Sequence, residues 1–432
     1  MEKPIPQRHN SIISSGTGEV MKRAVNKDYL LAIDVGTTKI CVVAARRNER
    51  KAIEVLGVGI HPCSGLSANG IVDLDEIVES ITKAARKALS QAPGVDIHHA
   101  FVGITGSFIQ SQNTVGSLVL STHGRSVNQN DVELSINGAV NKTVPKDCLV
   151  LHAIPRWFRL DDTPYIRDPI GMEGSMLEVD IHLIIGRQTI LKNLKRCVTM
   201  AGFTVEELVS QSIAASESVL TEEEKKSGVA LVDIGGETTS LLVYFEGSIY
   251  HSETLEIGGE FITRDINHYF QTPMENAENL KKYSGSSFSE SVDPEEMLEV
   301  IRFKNRRTIV VKKRLLSQVI EARVEQILEE VMRVLRARDL LGMLFAGIVL
   351  TGGTALMDGI RDKAKKMVKR DIHIGYPNGV VGHETIISSP IYTSVIGLLH
   401  YGFERRDAHL EMYGTGMKRF LQRTIRWIQE RF

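Results

Sequence analysis

The sequence predicts an α/β protein in which one structural unit occurs twice, once in each of two lobes that face a common cleft. The first observation is a strand, a tight Asp-Val-Gly-Thr-Thr turn at residues 34–38 and a second strand rich in β-branched residues. The second is a similar unit about 200 residues later, around Asp-Ile-Gly-Gly-Glu-Thr-Thr at residues 233–239. The third is a buried strand that ends in Thr-Gly-Gly-Thr at residues 351–354. Any hairpin can carry Asp-x-Gly, but two copies that both continue into Thr-Thr favour a duplicated domain.

The composition is typical of a soluble globular protein and argues against several classes. The 432 residues predict two to four domains, and hydrophobic and charged residues make up 42% and 24% of the chain. No apolar run approaches the ~18–20 residues that span a bilayer. A net charge of −1 argues against a nucleic-acid partner. Cys41, Cys63, Cys148 and Cys197 have no zinc-binding spacing, which indicates free thiols in a reducing cytoplasm.

The first part of the chain alternates strands and helices after a polar N-terminal tail, residues 1–27, which we expect to be disordered. Apolar residues at helical spacing predict a helix over 73–91, with Asp73 as its N-cap. Strands are expected at residues 29–33, 39–45 and 101–104.

Residues 105–186 depart from this pattern. Strand-like segments surround one predicted helix, residues 130–143, and turns rich in Pro and Asp separate them. The segment therefore predicts an inserted α+β subdomain. Two helices are expected after it, at residues 188–201 and 211–224, and Gly202 is positioned to end the first.

The second part of the chain repeats the strand–turn–strand unit, with strands expected at residues 229–232 and 240–245. A helix at 261–270 opens a charged, helix-rich section that extends to about residue 335. A buried strand at 347–350, a helix at 359–369 and an apolar helix at 390–401 complete this part.

The glycine turns have the chemistry of phosphate binding. Backbone N–H groups in a tight turn hold phosphate well, and glycine lets the main chain approach closely. Two such turns on opposite lobes would clamp a phosphate chain, and Asp34 and Asp233 at the strand ends suit Mg²⁺ held through water. None of the turns is a Walker A sequence. The candidates are Gly36, Thr37, Thr38, Lys39, Gly235, Gly236, Thr238 and Thr239, with Gly352 and Gly353 expected against a purine or ribose.

The last predicted helix, residues 417–432, is amphipathic and basic. Its apolar residues cover less than half of the circumference, and basic residues occupy most of the rest. Such a helix at a chain end suits an anionic membrane surface, and a helix packed on the protein's own core is the alternative. The expected membrane contacts are Phe420, Leu421, Ile425, Trp427 and Ile428, with Arg419, Arg423 and Arg426.

The three glycine turns together resemble the two phosphate motifs and the adenosine motif of the actin, Hsp70 and sugar-kinase superfamily. Within it, the chain resembles the FtsA family of bacterial cell-division actin homologues over residues 28–402. The superfamily motifs alone would not separate that family from MreB proteins or kinases. The strings that do are LHAIP at 151–155, DPIGM at 168–172, Ala277-Glu278 with Lys281, VIEAR at 319–323, GIVLTGG at 347–353 and GLLHYG at 397–402.

The resemblance implies an actin-like, ribonuclease-H-like α/β fold, with duplicated domains around a nucleotide cleft, an inserted α+β subdomain 1C and a C-terminal amphipathic helix. Subdomain 1C would serve self-assembly and contacts with the divisome. The implied segments are 1A (28–103, 187–228 and 379–405), 1C (104–186), 2A (229–258 and 331–378), 2B (259–330), a linker (406–416) and the membrane-targeting helix (417–432).

The resemblance also implies ATP and Mg²⁺ as cofactors and adds site residues. Glu278 and Lys281 fall on the helix near the adenosine, and an ordinary i, i+3 surface pair is the alternative. Glu217 stands where actins carry a residue that positions water, and a solvated helix glutamate is the alternative. The catalytic candidates are therefore Asp34, Asp233 and Glu217.

The second turn departs from the family pattern. Glu237 replaces the third glycine, and Ser240 stands where an Asp is usual. A carboxylate beside a γ-phosphate costs Coulomb energy unless it is screened. We therefore expect weak ATP hydrolysis at most, in a protein that is primarily a structural adaptor.

A basic run in subdomain 2B ends in Lys312, Lys313 and Arg314. In the family that the chain resembles, this subdomain receives the apolar, acidic C-terminal peptide of FtsZ. We therefore expect these residues to bind that peptide, and a solvated charged face is the alternative.

The residues and the resemblance together predict an actin-like, ATP-binding cell-division protein. It would polymerise as a peripheral protein on the cytoplasmic face of the cell membrane, at the septum, bind anionic inner-membrane lipids, tether FtsZ filaments and recruit later divisome proteins. A kinase or phosphatase of the same superfamily is the alternative, but the sequence lacks a further cleft motif with a substrate-positioning Asp. An Hsp70-like chaperone would need a β-sandwich substrate domain.

Overall fold

The computed structural model describes residues 28–303, 307–383, 386 and 388–413, with side chains described to residue 407. The expected N-terminal tail (1–27) and the expected membrane helix (417–432) lie outside the described residues. The described part forms two lobes, with a subdomain inserted in the first.

The described residues form strands and α-helices with the following bounds. The strands are β1 (Tyr29–Val35), β2 (Lys39–Arg47), β3 (Ile53–Pro62), β4 (Leu66–Ser67), β5 (Gly70–Ile71), β6 (His99–Ile104), β7 (Ile109–Val119), β8 (Arg125–Ser126), β9 (Cys148–Leu160), β10 (Thr163–Ile166), β11 (Glu173–Gly174), β12 (Met176–Arg187), β13 (Thr204–Ser210), β14 (Val229–Ile234), β15 (Thr239–Phe245), β16 (Ser248–Leu255), β17 (Met297–Ile301), β18 (Thr308–Lys312), β19 (Ile348–Thr351), β20 (Ile372–Ile374) and β21 (Val380–Val381). The helices are α1 (Leu74–Ser90), α2 (Gln129–Thr143), α3 (Gln188–Met200), α4 (Gln211–Val219), α5 (Glu222–Ser227), α6 (Gly259–Phe270), α7 (Met274–Tyr283), α8 (Lys313–Ala337), α9 (Ile360–Val368) and α10 (Thr393–Tyr413).

The two lobes share one sheet topology. In lobe I the strand order is β13-β6-β1-β2-β3-β21. Strand β2 is antiparallel to both of its neighbours, β1 and β3, while β6 and β13 run parallel to β1, and β21 is an additional edge strand parallel to β3. In lobe II the order is β16-β15-β14-β19-β20, again an antiparallel trio followed by two parallel strands. The predicted duplication is confirmed, and the fold is actin-like.

Burial on both faces explains why the central strands of lobe I are continuous apolar runs in the sequence. Helix α1 packs on β2 and β3, and α10 packs on β1, β2 and β6. Residues 30–33 and 40–45 consequently have no exposed surface. Strands covered in this way need no alternation of polar and apolar residues.

The inserted subdomain carries its own core on a four-stranded sheet of order β10-β9-β12-β7. Helix α2 packs on this sheet and begins at a capping box formed by Asn128 and Asp131. The edge strand β7 meets β16 of lobe II, where Asn113 Nδ2 donates to the Tyr250 carbonyl at 3.2 Å and Ser111 donates to the Ser252 carbonyl. We call this contact between β7 and β16 the seam. It joins the inserted subdomain, which interrupts the chain of lobe I, to lobe II.

Three stretches differ from the sequence-based expectation. The helix expected at 211–224 is two helices, because a capping box of Thr221 and Glu224 starts α5 after α4 has ended. The charged section before residue 335 contains the hairpin β17–β18. Helix α10 continues to residue 413, into the segment expected to be a linker. Among the residues that the structure describes, no helix combines the length and the apolar character needed to cross a membrane.

Candidate functional site

Asp34 and Asp233 occupy equivalent places near the ends of β1 and β14. Each strand pairs with the strand after it, and the chain reverses in a glycine turn between them. Gly36 N donates to the Lys39 carbonyl at 3.1 Å, and Gly235 N donates to the Thr238 carbonyl at 2.9 Å. The first turn (residues 34–39) and the second turn (233–239) thus repeat one backbone geometry, because the same residue pattern occurs in both.

The two turns touch each other across the cleft. The backbone N–H of Glu237 donates to Thr37 Oγ1 at 3.2 Å. A Cβ on Gly236 would lie 2.4 Å from Thr38 Cγ2, so any side chain at this position would push the turns apart. The structure therefore brings Gly36, Thr37, Thr38, Gly235 and Gly236 together at one place.

The third turn (residues 351–354) closes the same site from lobe II. Gly352 has a φ of 86°, and a Cβ on it would stand 2.3 Å from Asp233 Oδ1. Thr354 Oγ1 donates to the Gly235 carbonyl at 3.3 Å. Gly353 is exposed at the rim.

The two aspartates are buried and their charged forms are disfavoured. Burial raises the pKa of Asp34 to about 7 and that of Asp233 to about 6, although the nearby Lys39 acts in the opposite direction on both. Burial also lowers the pKa of Lys39. Two poorly compensated buried carboxylates suit a divalent cation, because Mg²⁺ prefers oxygen ligands.

Each aspartate is oriented by a residue that sequence reasoning missed. Gln211 Nε2 donates to Asp34 Oδ1 at 2.6 Å, and Ser394 Oγ donates to Asp233 Oδ2 at 3.2 Å. Both donors stand at the start of a helix, α4 and α10 respectively, far along the chain from their partners. No local motif marks either position.

Glu237 does not lie free beside the phosphate position. Its Oε2 accepts from the backbone N–H of Ala68 at 2.9 Å, and its Oε1 accepts from Arg264 at 2.6 Å. The positive charge of Arg264 on α6 balances the carboxylate. The structure thus supplies the screening that the sequence did not reveal.

The threonines of the second turn have different environments. Thr239 is buried and its hydroxyl donates to the Ile257 carbonyl at 2.7 Å, so this hydroxyl supports the strand instead of pointing at a ligand. Thr238 is also buried. Ser240, which replaces the usual Asp, lies 3.4 Å from Thr105 across the lobes, measured between the two hydroxyl oxygens.

Glu278 and Lys281 connect α7 to the start of α6. They form an ion pair at 2.6 Å, and Lys281 Nζ also donates to the Gly259 carbonyl and to Thr263. Burial works against ionisation of Glu278, but Lys281, Thr263 and Lys282 outweigh it and hold its pKa below the usual range. The pair is therefore more than the exposed surface pair that was its alternative, and it lies directly behind the second turn, since Gly259 N donates to the Gly235 carbonyl.

Glu217 is buried on α4, so the alternative of a solvated helix glutamate is wrong. Its Oε2 lies 3.5 Å from the ammonium of Lys225, which is also buried. A charge is tolerated at this depth because its partner is buried with it.

The predicted basic docking residues lie where β18 runs into α8. Lys312 pairs with Glu295 at 3.1 Å and Lys313 with Glu296 at 2.9 Å, while Arg314 is half-buried. Both glutamates come from the chain just before β17. An acidic partner would have to displace them.

A second concave feature lies at the junction of the inserted subdomain with lobe I. It is a cavity of about 280 Å³ between β9, α3, β13 and α10. Leu151, Ile154, Leu191, Tyr401 and Arg405 are among the residues that line it. Sequence reasoning did not identify it, because the lining comes from four separated stretches of chain.

Two family models match the sequence. The one described as cell division protein FtsA matches residues 230–397, and the one described as an SHS2 domain inserted in FtsA matches residues 106–185. The second match coincides with the segment that folds as the inserted subdomain.

Curated relatives cover nearly the whole chain. The cell division protein FtsA of Pseudomonas aeruginosa is 32% identical over 411 residues, which is 93% of this chain and 98% of that protein. The FtsA of Bacillus subtilis is 34% identical, over 91% of this chain and 87% of that protein. The FtsA of Escherichia coli K12 is 30% identical, over 95% and 98% respectively.

Solved structures with the same fold are more distant in sequence. The PilM–PilN type IV pilus biogenesis complex contains a chain that matches with a TM-score of 0.63 at 13% identity, over 87% of this chain and 98% of that one. MreB5 of Spiroplasma citri bound to ADP matches with a TM-score of 0.53 at 14% identity, over 89% and 98%. At such identity these likenesses establish the actin-like fold alone.

Proposed function

The chain belongs to the FtsA family of cell division proteins, and from that premise we propose that it binds ATP with Mg²⁺ between its two lobes and assembles on the cytoplasmic face of the membrane to tether FtsZ. Its actin-like role in cell division is that of the family. The observation that carries the nucleotide proposal is the meeting of the three glycine turns beside two buried aspartates. MreB5 of Spiroplasma citri, with the same fold, is solved with ADP and with AMPPNP.

The chain's own residues would hold the nucleotide in distinct ways. Backbone N–H groups of the first and second turns would receive the phosphates, with Thr37 and Thr38 as hydroxyl donors. Asp34 and Asp233 would hold Mg²⁺, which would neutralise phosphate charge there. Gly352 and Gly353 would leave room for the ribose or purine, and Glu278 with Lys281 would support this wall from behind. Glu217 was expected to position water, but its carboxylate pairs with Lys225, which lies over the ring of Tyr244 at the end of β15 opposite the second turn. We therefore leave Glu217 out of the proposed site, and we propose weak hydrolysis at most.

The nucleotide proposal is tested by Gly235→Asp, which places a carboxylate against phosphate inside the cleft. We expect more than a tenfold loss of ATP affinity, because like charges at close range in a poorly hydrated site repel strongly. Titration calorimetry with Mg-ATP measures the change, and thermal melting checks that the variant folds. Unchanged affinity in a folded variant would contradict the assignment.

Membrane attachment is proposed through residues 417–432, which are amphipathic and basic. The septal location, the filament and the anionic lipid partner are part of the same proposal, which the family and this segment support. The subdomains 1A, 1C, 2A and 2B are part of the same proposal, and the match to residues 106–185 supports the limits of 1C.

Partner binding is proposed at two places. Lys312, Lys313 and Arg314 would bind the acidic FtsZ peptide on subdomain 2B. Later divisome proteins would bind the inserted subdomain 1C, to which the family resemblance assigns these contacts.

A further inference from the structure

We propose that Glu237 is a cross-cleft clamp, a side chain of lobe II that holds the two lobes closed by binding the backbone of lobe I at Ala68. The carboxylate belongs to the second turn, yet one of its oxygens accepts from Ala68 N at 2.9 Å. Its other oxygen accepts from Arg264 at 2.6 Å, and that arginine stands on α6 of lobe II. Arg264 therefore positions the Glu237 carboxylate, and the carboxylate binds the backbone N–H of Ala68.

The hydrogen bond between Glu237 and Ala68 joins the lobes effectively, because the surroundings of Ala68 in lobe I hold it in place. Ala68 is buried and lies in the connection between β4 and β5. Its carbonyl accepts from Ser107 N at 2.8 Å, just before β7 leads into the inserted subdomain. Glu237 therefore binds a segment of lobe I that is itself hydrogen-bonded, through Ser107, to the connection between β6 and β7.

A glycine at position 237 would provide no side chain for this bridge. The clamp is therefore a property of this chain's own second turn, and opening the cleft must break the bond between the Ala68 N–H and the carboxylate. The consequence for nucleotide rests on the proposed function: a nucleotide between the lobes would leave more slowly because the clamp must first release. This is the opposite of what simple repulsion between Glu237 and phosphate would produce.

The test compares the full-length wild type with Glu237→Ala, Glu237→Gln and a matched control, Glu260→Gln. Glu260 also faces Arg264, with its Oε1 3.8 Å from Arg264 Nε. Both residues lie on α6, so this pair does not bridge the two lobes. Both glutamines remove one negative charge near the same arginine. Glu237→Gln keeps an oxygen that can accept from Ala68 N.

The first readout needs no nucleotide. Hydrogen–deuterium exchange of peptides that cover residues 66–72 should show the Ala68 amide exchanging about tenfold faster in Glu237→Ala. Tenfold corresponds to ~1.4 kcal/mol, close to what a hydrogen bond to a charged group contributes. We expect Glu237→Gln to recover most of the protection and Glu260→Gln to match the wild type. Unchanged exchange in Glu237→Ala would overturn the clamp.

The second readout is the dissociation rate of a fluorescent ATP analogue in stopped flow. We expect release to be several-fold faster from Glu237→Ala and unchanged from Glu260→Gln. Slower release from both Glu237→Ala and Glu237→Gln would indicate that Glu237 repels the phosphates, and would overturn the role of the clamp in retaining nucleotide. If the wild type binds no nucleotide, the proposed function fails, and the exchange measurement still decides whether the clamp exists.

Discussion

Gly352 shows how strongly a single backbone position constrains the site. Its φ of 86° with ψ of 174° is a conformation that L-residues with side chains avoid, and a Cβ would collide with Asp233 Oδ1. We expect Gly352→Ala to destabilise the protein by about 1–3 kcal/mol from the backbone alone. The melting temperature should fall by several degrees.

The adjacent glycine provides the control for this prediction. A Cβ on Gly353 would meet no described atom within 4 Å. Gly353→Ala should therefore melt within about one degree of the wild type, because a surface substitution without special contacts changes stability little. Equal losses from both alanines would contradict the special role of Gly352.

At the residue scale, the sequence predicted the site only as far as its local motifs reached. Asp34 and Asp233 could be found because each is followed at once by the glycines that make its turn. Gln211 and Ser394 could not, because each reaches its aspartate from a helix more than 150 residues away in the chain. The direction of the Glu237 side chain likewise depends on Ala68, which only the packing of the lobes brings near.

At the scale of elements, the β17–β18 hairpin and the start of α8 explain how an acidic peptide could compete for a surface that already has partners. Lys312 and Glu295 are both well exposed, so their ion pair stabilises the fold little and is displaced at low cost. We expect the double variant Glu295→Gln, Glu296→Gln to bind the FtsZ C-terminal peptide several-fold more tightly.

Charge reversal of Lys312, Lys313 and Arg314 should have the opposite effect on the same peptide. Affinity by fluorescence anisotropy should fall, and added salt should reduce the differences, since exposed charges are screened within about 8 Å at physiological ionic strength. Affinities that respond to neither set of variants would place the peptide elsewhere.

A buried histidine on β12, His182, contacts both sides of the seam and makes stability depend on pH. Burial lowers the pKa of His182 to about 3, and its ring nitrogens lie 2.7 Å from Asn113 Oδ1 and 2.8 Å from Ser252 Oγ. His251, Arg156 and His152 also oppose its protonation. Below about pH 6.5 the unfolded chain binds a proton that the folded chain does not, so stability is lost as the pH falls.

The size of this effect can be measured with His182→Gln, which cannot titrate. Between pH 7 and pH 5 the wild type should lose about 2 kcal/mol more than the variant, at about 1.4 kcal/mol per pH unit below 6.5. Urea unfolding at the two pH values gives both numbers. His152, also buried, contributes equally to both proteins and cancels. Parallel pH profiles would show that His182 is not protonated on unfolding.

The elements that the sequence predicted well are those with a strong local signal. Helix α1 has regular apolar spacing and Asp73 as an N-cap that accepts from Asp75 N and Glu76 N, so its limits were close to those observed. The hairpin β17–β18 was missed because its strands have only five residues each and carry apolar residues at exposed positions, such as Met297, Ile301 and Val310, which conceals the alternation. The division between α4 and α5 depends on one capping threonine inside an otherwise helical pattern.

At the scale of the whole molecule, the proposed membrane segment should be separable from the folded body. The described core of lobe I is complete by residue 403. Deleting residues 417–432, or combining Phe420→Glu with Trp427→Glu, should abolish sedimentation with anionic liposomes. Each large apolar side chain removed from the interface costs roughly 1.5–3 kcal/mol.

Melting temperature distinguishes this outcome from the alternative. It should stay within about one degree of the wild type, because we expect the segment to lie away from the core. A large fall in melting temperature would mean that the segment packs on the protein.

The overall architecture was predictable because duplication leaves its mark in the sequence. Two Asp-x-Gly turns followed by Thr-Thr predicted two related lobes, and the matching strand orders of the two sheets confirm this prediction. The seam was not predictable. It joins Ser111 and Asn113 to the backbone of β16 through contacts between edges, and the sequence carries no trace of which edges meet.

The path of the chain also sets an order of synthesis. Lobe II uses one uninterrupted stretch, whereas the sheet of lobe I begins with β1 and is covered last, by α10. Val395, Ile396, Leu398 and Leu399 have no exposed surface there, so lobe I lacks part of its core until they have left the ribosome. Lobe II can therefore fold while lobe I waits, against the usual N-to-C order. The residues proposed to reach the membrane, 417–432, follow α10 in the chain and are translated after it. A nascent chain therefore becomes able to attach only when lobe I already has its full core.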